Sequence, residues 1–178
     1  MVSILSAEEI RALINSPRPL ISGYISLEEQ LQPAGFELTV AEISAFEGPG
    51  RLAFDNRERR LPPLKPLKLS EKPTWLPSGF YLVRYNEEVW LPEDLAALVF
   101  PRSSLMRSGA ILYTALWDPG YRGRGQGLLN VYNPHGLELS LNARIGQLVF
   151  FRLSKPVKEG YRGIFQGEGL PSSSRESS

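Results

Sequence analysis

From Phe100 to Phe151 the chain reads FPRSSLMRSGAILYTALWDPGYRGRGQGLLNVYNPHGLELSLNARIGQLVFF. Short apolar runs alternate here with breaks rich in Gly, Pro and Asn. Ile111–Trp117, Leu128–Tyr132, Leu137/Leu139/Leu141 and Ile145–Phe151 each have the length and alternation of a strand. Pro119-Gly120 and Asn133-Pro134-His135-Gly136 are turn sequences between them. Leu95–Phe100 is a six-residue apolar run that reads as a buried strand delivering the loop after it. The stretch therefore predicts an all-β fold with many turns, and the 15 prolines and 16 glycines of the whole chain extend that punctuation to both sides.

Working outward, Ser6-Ala7-Glu8-Glu9 is a capping box followed by Ile10, Leu13 and Ile14 at helical spacing, which predicts one short helix near the start. Pro33-Ala34-Gly35 is a bend, and Phe36-Glu37-Leu38-Thr39-Val40 alternates as a half-buried strand with Glu37 on its solvent side. Residues 47–77 are rich in Pro and basic side chains; Arg57-Glu58-Arg59-Arg60 reads as a solvated loop or edge strand. Beyond Phe151, Tyr161–Gly167 has an arginine, two aromatic rings and two glycines, the make-up of a mobile flap. Glu168–Ser178 is Ser-rich and poor in apolar residues, so a disordered tail is expected there. The organisation predicted is one domain over residues 1–167, flap included, with residues 168–178 as tail.

Composition excludes several classes of function. With 178 residues, 42% hydrophobic and 22% charged, the chain can bury a real core. A net charge of +1 gives no global field for nucleic acid. Cysteine is absent and there is one histidine, which removes disulfides, thiolate chemistry and the usual zinc sites. No apolar run approaches the roughly 20 residues of a membrane span, and a signal-peptide pattern is lacking, so a cytoplasmic location is the expectation.

The candidate chemistry lies in the quoted stretch. Arg102, Ser103, Ser104 and Arg107 put two guanidinium groups and two hydroxyls within six residues, at what reads as a helical turn. Phosphate oxygens accept from such groups, although a capped surface turn has the same composition. Asp118 is an isolated carboxylate at a strand end before a Gly/Pro turn: either a turn cap or a base that holds a water. His135 sits at a loop tip, outside this chemistry. Gln147 is an amide inside an apolar strand and requires partners, structural or ligand.

Five ordered blocks then carry a resemblance: PAGFEL (33–38), PRSSL (101–105), WDPGYRG (117–123) with LLNVYN (128–133), RIGQLVF (144–150) and YRGIFQG (161–167). Together they resemble the motifs of the dUTPase and dCTP deaminase superfamily, over nearly the whole chain and closest to its deaminase-like branch. That resemblance implies a distorted antiparallel β-barrel of jelly-roll type with one or two short helices, and a homotrimer whose active sites are shared between subunits. It implies hydrolysis of dUTP to dUMP and pyrophosphate with Mg²⁺, serving nucleotide-pool sanitation and dUMP supply. By the same resemblance Asp118 is the catalytic base. Arg102, Ser103, Ser104, Arg107, Gln147 and, from the flap, Arg162 bind phosphate. Tyr121 packs under deoxyribose and Phe165 against base or sugar, while backbone groups of the hairpin after Asp118 read uracil. The metal is held mainly by triphosphate and water, with possible support from Glu37, which replaces the family's Asp.

Deaminases of the branch resembled carry a glutamate in the strand after the DPG turn. Here Asn130 stands at that position, and no Asp or Glu occurs from Pro119 to Leu137. An amide cannot take and return a proton. The expectation is dUTP hydrolysis without cytosine deamination. The alternatives are a deaminase, mono- or bifunctional, with a carboxylate from elsewhere, and a nucleotide-binding protein without turnover.

Overall fold

The computed structural model describes residues 3–171. In chain order the elements begin with β1 (Ser3–Ile4), α1 (Ala7–Ile14), β2 (Ile21–Ser22), α2 (Leu27–Gln30), β3 (Leu31–Gln32) and β4 (Gly35–Phe46). After a 3-10 turn at Asn56–Glu58 come β5 (Leu64–Leu67), β6 (Thr74–Leu76), β7 (Gly79–Tyr85), β8 (Glu88–Trp90) and β9 (Leu95–Pro101). The rest are α3 (Ser103–Arg107), β10 (Ala110–Tyr113), β11 (Arg122–Gly123), β12 (Gln126–Val131), β13 (Leu137–Leu139) and β14 (Arg144–Arg152).

Strands dominate, every pairing is antiparallel, and the main sheet runs β1-β14-β4-β7-β12-β10 with β9 on the other edge of β14. The expected barrel takes the form of this curled sheet. Its curl is made by β4, whose first half pairs with β14 (Glu37↔Gln147) and whose second half pairs with β7 (Ile43↔Val83), with a register shift at Val40/Glu42 between them. Phe36, Leu38, Val40 and Ile43 from β4, Val83 and Tyr85 from β7, Leu129 and Val131 from β12, and Leu148 and Phe150 from β14 fill the interior.

Two local predictions are realised in detail. The capping box is present: Glu9 N donates to Ser6 Oγ at 3.4 Å and Ser6 N to Glu9 Oε2 at 2.9 Å. Arg102–Arg107 is a helical turn at the end of β9. A third helix, α2, has the same kind of start, with Ser26 Oγ accepting from Glu29 N. The strand expected over Ile111–Trp117 stops at Tyr113; Trp117 alone rejoins a neighbour, bridging Ala97.

Two predictions need correction. Glu37 does not face solvent: it is buried, because Arg102 and Arg144 close over it. The tail does not begin at Glu168. Arg124 N donates to the Glu168 carbonyl at 2.8 Å and Leu170 is 7% exposed, so the ordered chain continues through these residues. Residues 172–178 of the predicted tail lie outside the described residues.

Candidate functional site

The sequence-predicted residues fall into two half-sites. The first lies on the face of the sheet away from the core. Glu37, Gln147 and Phe100 sit side by side across β4, β14 and β9, because directly paired residues of antiparallel strands share a face. Arg102, two residues beyond Phe100, turns its guanidinium onto this face, where Nε donates to Glu37 Oε1 at 2.5 Å and Nη1 to the Arg144 carbonyl at 3.2 Å. Arg144 Nη1 is 3.2 Å from Glu37 Oε2 but off the line of an N–H, and that buried oxygen has no hydrogen-bond donor. One carboxylate between two arginines leaves the patch positive. Ser103, Ser104 and Arg107 project from α3 into solvent beside it. Gln147 packs its amide over Gly35, where a Cβ would stand 2.9 Å from Gln147 Nε2.

The second half-site is a cleft of about 340 Å³ around the start of the DPG turn. Asp118 stands at its lip, with Trp117, Tyr121, Gln126, Phe165 and Glu168 in its walls. The aromatic side is packed: Tyr121 meets Trp117 at a centroid distance of 5.3 Å and Tyr161 edge-on at 6.0 Å. The Asp118 carboxylate is exposed and makes no hydrogen bond or ion pair among the described residues, so it is not a turn cap. Of the residues assigned to base and sugar, Tyr121 and Phe165 are both here.

The flap closes over this hairpin in its own chain. Gly120 has φ +82° and lies against Gly160; a Cβ on Gly120 would stand 2.6 Å from the Gly160 Cα, so only glycines allow the crossing. Tyr161 N donates to the Pro119 carbonyl at 2.8 Å. The Gln166 amide accepts from Arg122 N and donates to the Gly120 carbonyl, both at 3.0 Å, and Gly167 N donates to the Arg122 carbonyl at 2.8 Å. These bonds occupy the backbone groups after Asp118 that the sequence assigned to uracil. Ala115 and Leu116, just before Asp118, also line the cleft.

Arg162 is not brought to the first half-site of its own chain. It is exposed, 3.9 Å from Glu159, and lines a second cleft with Arg18, Trp90 and Gln166. The two half-sites are also apart. Trp117 bridges Ala97, and Arg102 is five residues farther along the chain from Ala97, roughly 16 Å of extended strand.

Sequence reasoning missed Glu168 and Gln126. Glu168 accepts from the Tyr121 hydroxyl at 3.0 Å, and burial raises its pKa against the lowering effect of that bond. Burial, with the Glu168 charge second, holds the Tyr121 phenol far above its ordinary range. The signal for Glu168 was the glycine spacing of YRGIFQG continuing through Gly169 to an apolar Leu170. Behind the first half-site lies a third missed group, a buried polar network. Glu87 accepts from Gln30 Nε2 at 2.7 Å, from Thr39 N at 3.0 Å and from Thr39 Oγ1 at 2.6 Å, while Gln30 Nε2 also donates to the Glu37 carbonyl at 2.8 Å. It fixes the backbone that presents Glu37.

A family profile described as dCTP deaminase-like matches residues 4–153. A protein of Methanosarcina mazei named probable deoxyuridine 5′-triphosphate nucleotidohydrolase is 50% identical over 169 residues, 94% of this chain and 98% of the relative. One of Archaeoglobus fulgidus with the same name is 45% identical over 171 residues, 96% of this chain and all of the relative. Among solved structures, the 2′-deoxycytidine 5′-triphosphate deaminase of Agrobacterium tumefaciens has the same fold, with a TM-score of 0.62 at 21% identity over 85% of this chain. This chain spans 48% of that deaminase chain.

Proposed function

This chain belongs to the dCTP deaminase-like family, and on that premise we propose that it is a dUTP diphosphatase, converting dUTP to dUMP and pyrophosphate. The observation that carries the reading is Asp118: a carboxylate without a partner among the described residues, at the lip of an aromatic cleft of about 340 Å³, room enough for a pyrimidine nucleoside.

The chemistry follows from the side chains. Uracil and deoxyribose enter the cleft against Tyr121 and Phe165. Asp118 orients a water and takes its proton as the oxygen attacks the α-phosphorus; the bond from that phosphorus to the bridging oxygen breaks and pyrophosphate leaves. Arg102, Ser103, Ser104 and Arg107, with Gln147 beside them, bind the phosphates and neutralise the charge that grows on the leaving group. Arg102 is pre-aimed by its bond to Glu37.

Enzymes of this activity use a divalent metal, and Mg²⁺ is the ion we assign. Among the described residues no group of three or more His, Asp or Glu gathers to cage a cation. The metal would be held mainly by the triphosphate and its waters; Glu37, whose buried Oε2 lacks a hydrogen-bond donor among the described residues but lies 3.2 Å from Arg144 Nη1, would support it only through water. When bound there, Mg²⁺ spreads the negative charge of the triphosphate.

The separation of the half-sites supports a site completed between copies of the chain. Phe100, Met106 and Tyr113 are about half exposed around the phosphate face, as an intersubunit surface would be. We assign a homotrimer, in which Arg162 meets phosphate on a neighbouring subunit. No helix among the described residues is long and apolar enough to cross a membrane, and we assign the enzyme to the cytoplasmic nucleotide pool.

The test is product analysis with dUTP and dCTP in parallel, with Mg²⁺. Release of dUMP and pyrophosphate from dUTP, with dCTP unchanged, is expected. Release of dUTP or dUMP from dCTP would establish deamination, and binding of dUTP without turnover would establish a nucleotide-binding protein.

A further inference from the structure

We propose that Glu168 is the residue that positions Tyr121 as the sugar-facing wall of the cleft, so that closing the C-terminal segment and rejecting a ribose 2′-hydroxyl are one event. The proposal rests on the dUTP reading given above, in which Tyr121 lies against deoxyribose.

The Tyr121 side chain is 6% exposed, and its hydroxyl has one hydrogen-bond partner among the described residues, Glu168 Oε1 at 3.0 Å. Trp117 and Tyr161 hold two sides of the ring, and Glu168 holds its tip. Glu168 can do this because its backbone is pinned. Its carbonyl accepts from Arg124 N at 2.8 Å, its N–H donates to the Phe165 carbonyl at 3.1 Å, and the buried Leu170 anchors the chain just beyond.

Gly123 is the independent observation. A Cβ there would stand 2.7 Å from the Tyr121 hydroxyl and 3.0 Å from the Glu168 carbonyl, with φ in the ordinary range. The missing side chain thus makes room for the Tyr121–Glu168 pair and not for a special backbone turn. Glu168 also lines the same cleft as Asp118.

The consequence is a coupling between flap and sugar. Tyr161, Phe165 and Glu168 come from one segment; when that segment lifts, Tyr121 loses its edge-on neighbour and the one hydrogen bond its hydroxyl makes among the described residues. A free ring can swing aside and admit a ribose. A fixed ring cannot, and the cleft then presents no partner for the extra hydroxyl.

The experiment compares kcat/KM for dUTP and UTP in the full chain and in Glu168→Ala, Glu168→Gln, Tyr121→Phe, Glu168→Ala/Tyr121→Phe and Tyr121→Ala. Excluding a hydroxyl by shape is worth up to about a hundredfold, and loosening the ring should cost about tenfold of that preference. Glu168→Ala should therefore lower the dUTP/UTP ratio about tenfold, mainly through a higher kcat/KM for UTP as the freed ring admits the ribose. Glu168→Gln keeps an acceptor oxygen and should stay within about threefold of the parent ratio. Tyr121→Phe should match Glu168→Ala, and the double variant should be no worse than either single one, since both remove the same bond.

A Glu168→Ala ratio within twofold of the parent, or additive losses in the double variant, would overturn the proposal. If Glu168→Ala does not fold, a Tyr121→Phe ratio within twofold of the parent overturns it equally. Tyr121→Ala separates the two layers. An unchanged ratio there removes the sugar-wall reading itself, whereas a collapsed ratio there with no effect of Glu168→Ala removes only the role of Glu168.

Discussion

Asp118→Asn should separate catalysis from folding more cleanly than any other substitution in this chain. The Asp118 carboxylate is exposed and has no hydrogen bond or ion pair to lose among the described residues. The turn it begins is held by backbone, with Tyr121 N donating to the Asp118 carbonyl at 3.1 Å and Gly120 N to the Leu91 carbonyl at 3.1 Å. The amide is isosteric and leaves both bonds in place. Unfolding free energy should change by less than about 0.5 kcal/mol, the range for a surface substitution away from such features. At about 2–4 °C of Tm per kcal/mol for a chain of this size, the midpoint should move by no more than about 2 °C. Turnover should behave oppositely. An amide cannot accept the proton of the attacking water, and a positioned base contributes about 10²- to 10⁴-fold. At about 1.36 kcal/mol per decade, the barrier should rise by about 2.7–5.4 kcal/mol. The assay is steady-state conversion of dUTP to dUMP and pyrophosphate, with thermal unfolding on the same samples and calorimetric binding of a non-hydrolysable dUTP analogue. Near-parental kcat would refute the mechanism. A loss of kcat accompanied by a fall in Tm of several degrees would make Asp118 a structural residue after all.

Removing the two partners of the phosphate-face ion pair should be unequal. Arg102→Ala leaves the Glu37 side chain, 7% exposed, without its bonded cation and should cost about 3 kcal/mol; Glu37→Ala leaves two arginines that reach water and should cost about 1 kcal/mol in urea unfolding. Equal costs would mean that the carboxylate is solvated. Deleting residues 172–178 should leave dUTP turnover near normal, whereas deleting residues 168–178 removes the Glu168 and Leu170 contacts and should lower activity at least tenfold, as expected when a closing segment is lost. Equal activity of the two truncations would remove the C-terminal segment from the site. Glu87 is the acidic residue to examine by pH. Burial raises its pKa above the usual carboxylate value, so the folded chain binds its proton more tightly than the unfolded one. Its contribution to stability is then full below the ordinary carboxylate range and is lost as pH rises through the raised value. Glu87→Gln should abolish that slope and, by setting an amide N–H₂ against the donors of Gln30 and Thr39, cost about 1–3 kcal/mol at neutral pH. A pH–stability curve parallel to that of the parent would show that Glu87 does not titrate in this range.

What the sequence determined by itself was local or periodic. The Ser6–Glu9 box formed because both of its bonds span three residues, and Phe36-Glu37-Leu38 became a strand because period-2 alternation needs only a neighbouring strand to pair with. The helical turn of Arg102–Arg107 and the bend before Gly35 were legible for the same reason, and the ordered motifs around them carried the family. The tertiary structure decided which polar residues are covered and which of the predicted site residues share a space. Glu37 is buried by Arg102, 65 residues away, and Tyr121 is tied to Glu168, 47 residues away. Alternation puts Glu37 on the outer face of its strand but cannot say that two arginines will lie over that face. The composition of residues 168–171 says that they cannot build a core, not that they will dock on an existing hairpin whose backbone groups are free to bond them. The division into two half-sites is likewise a matter of register: Trp117 pairs with Ala97, and that one bridge holds Asp118 away from the Arg102–Arg107 turn of its own chain.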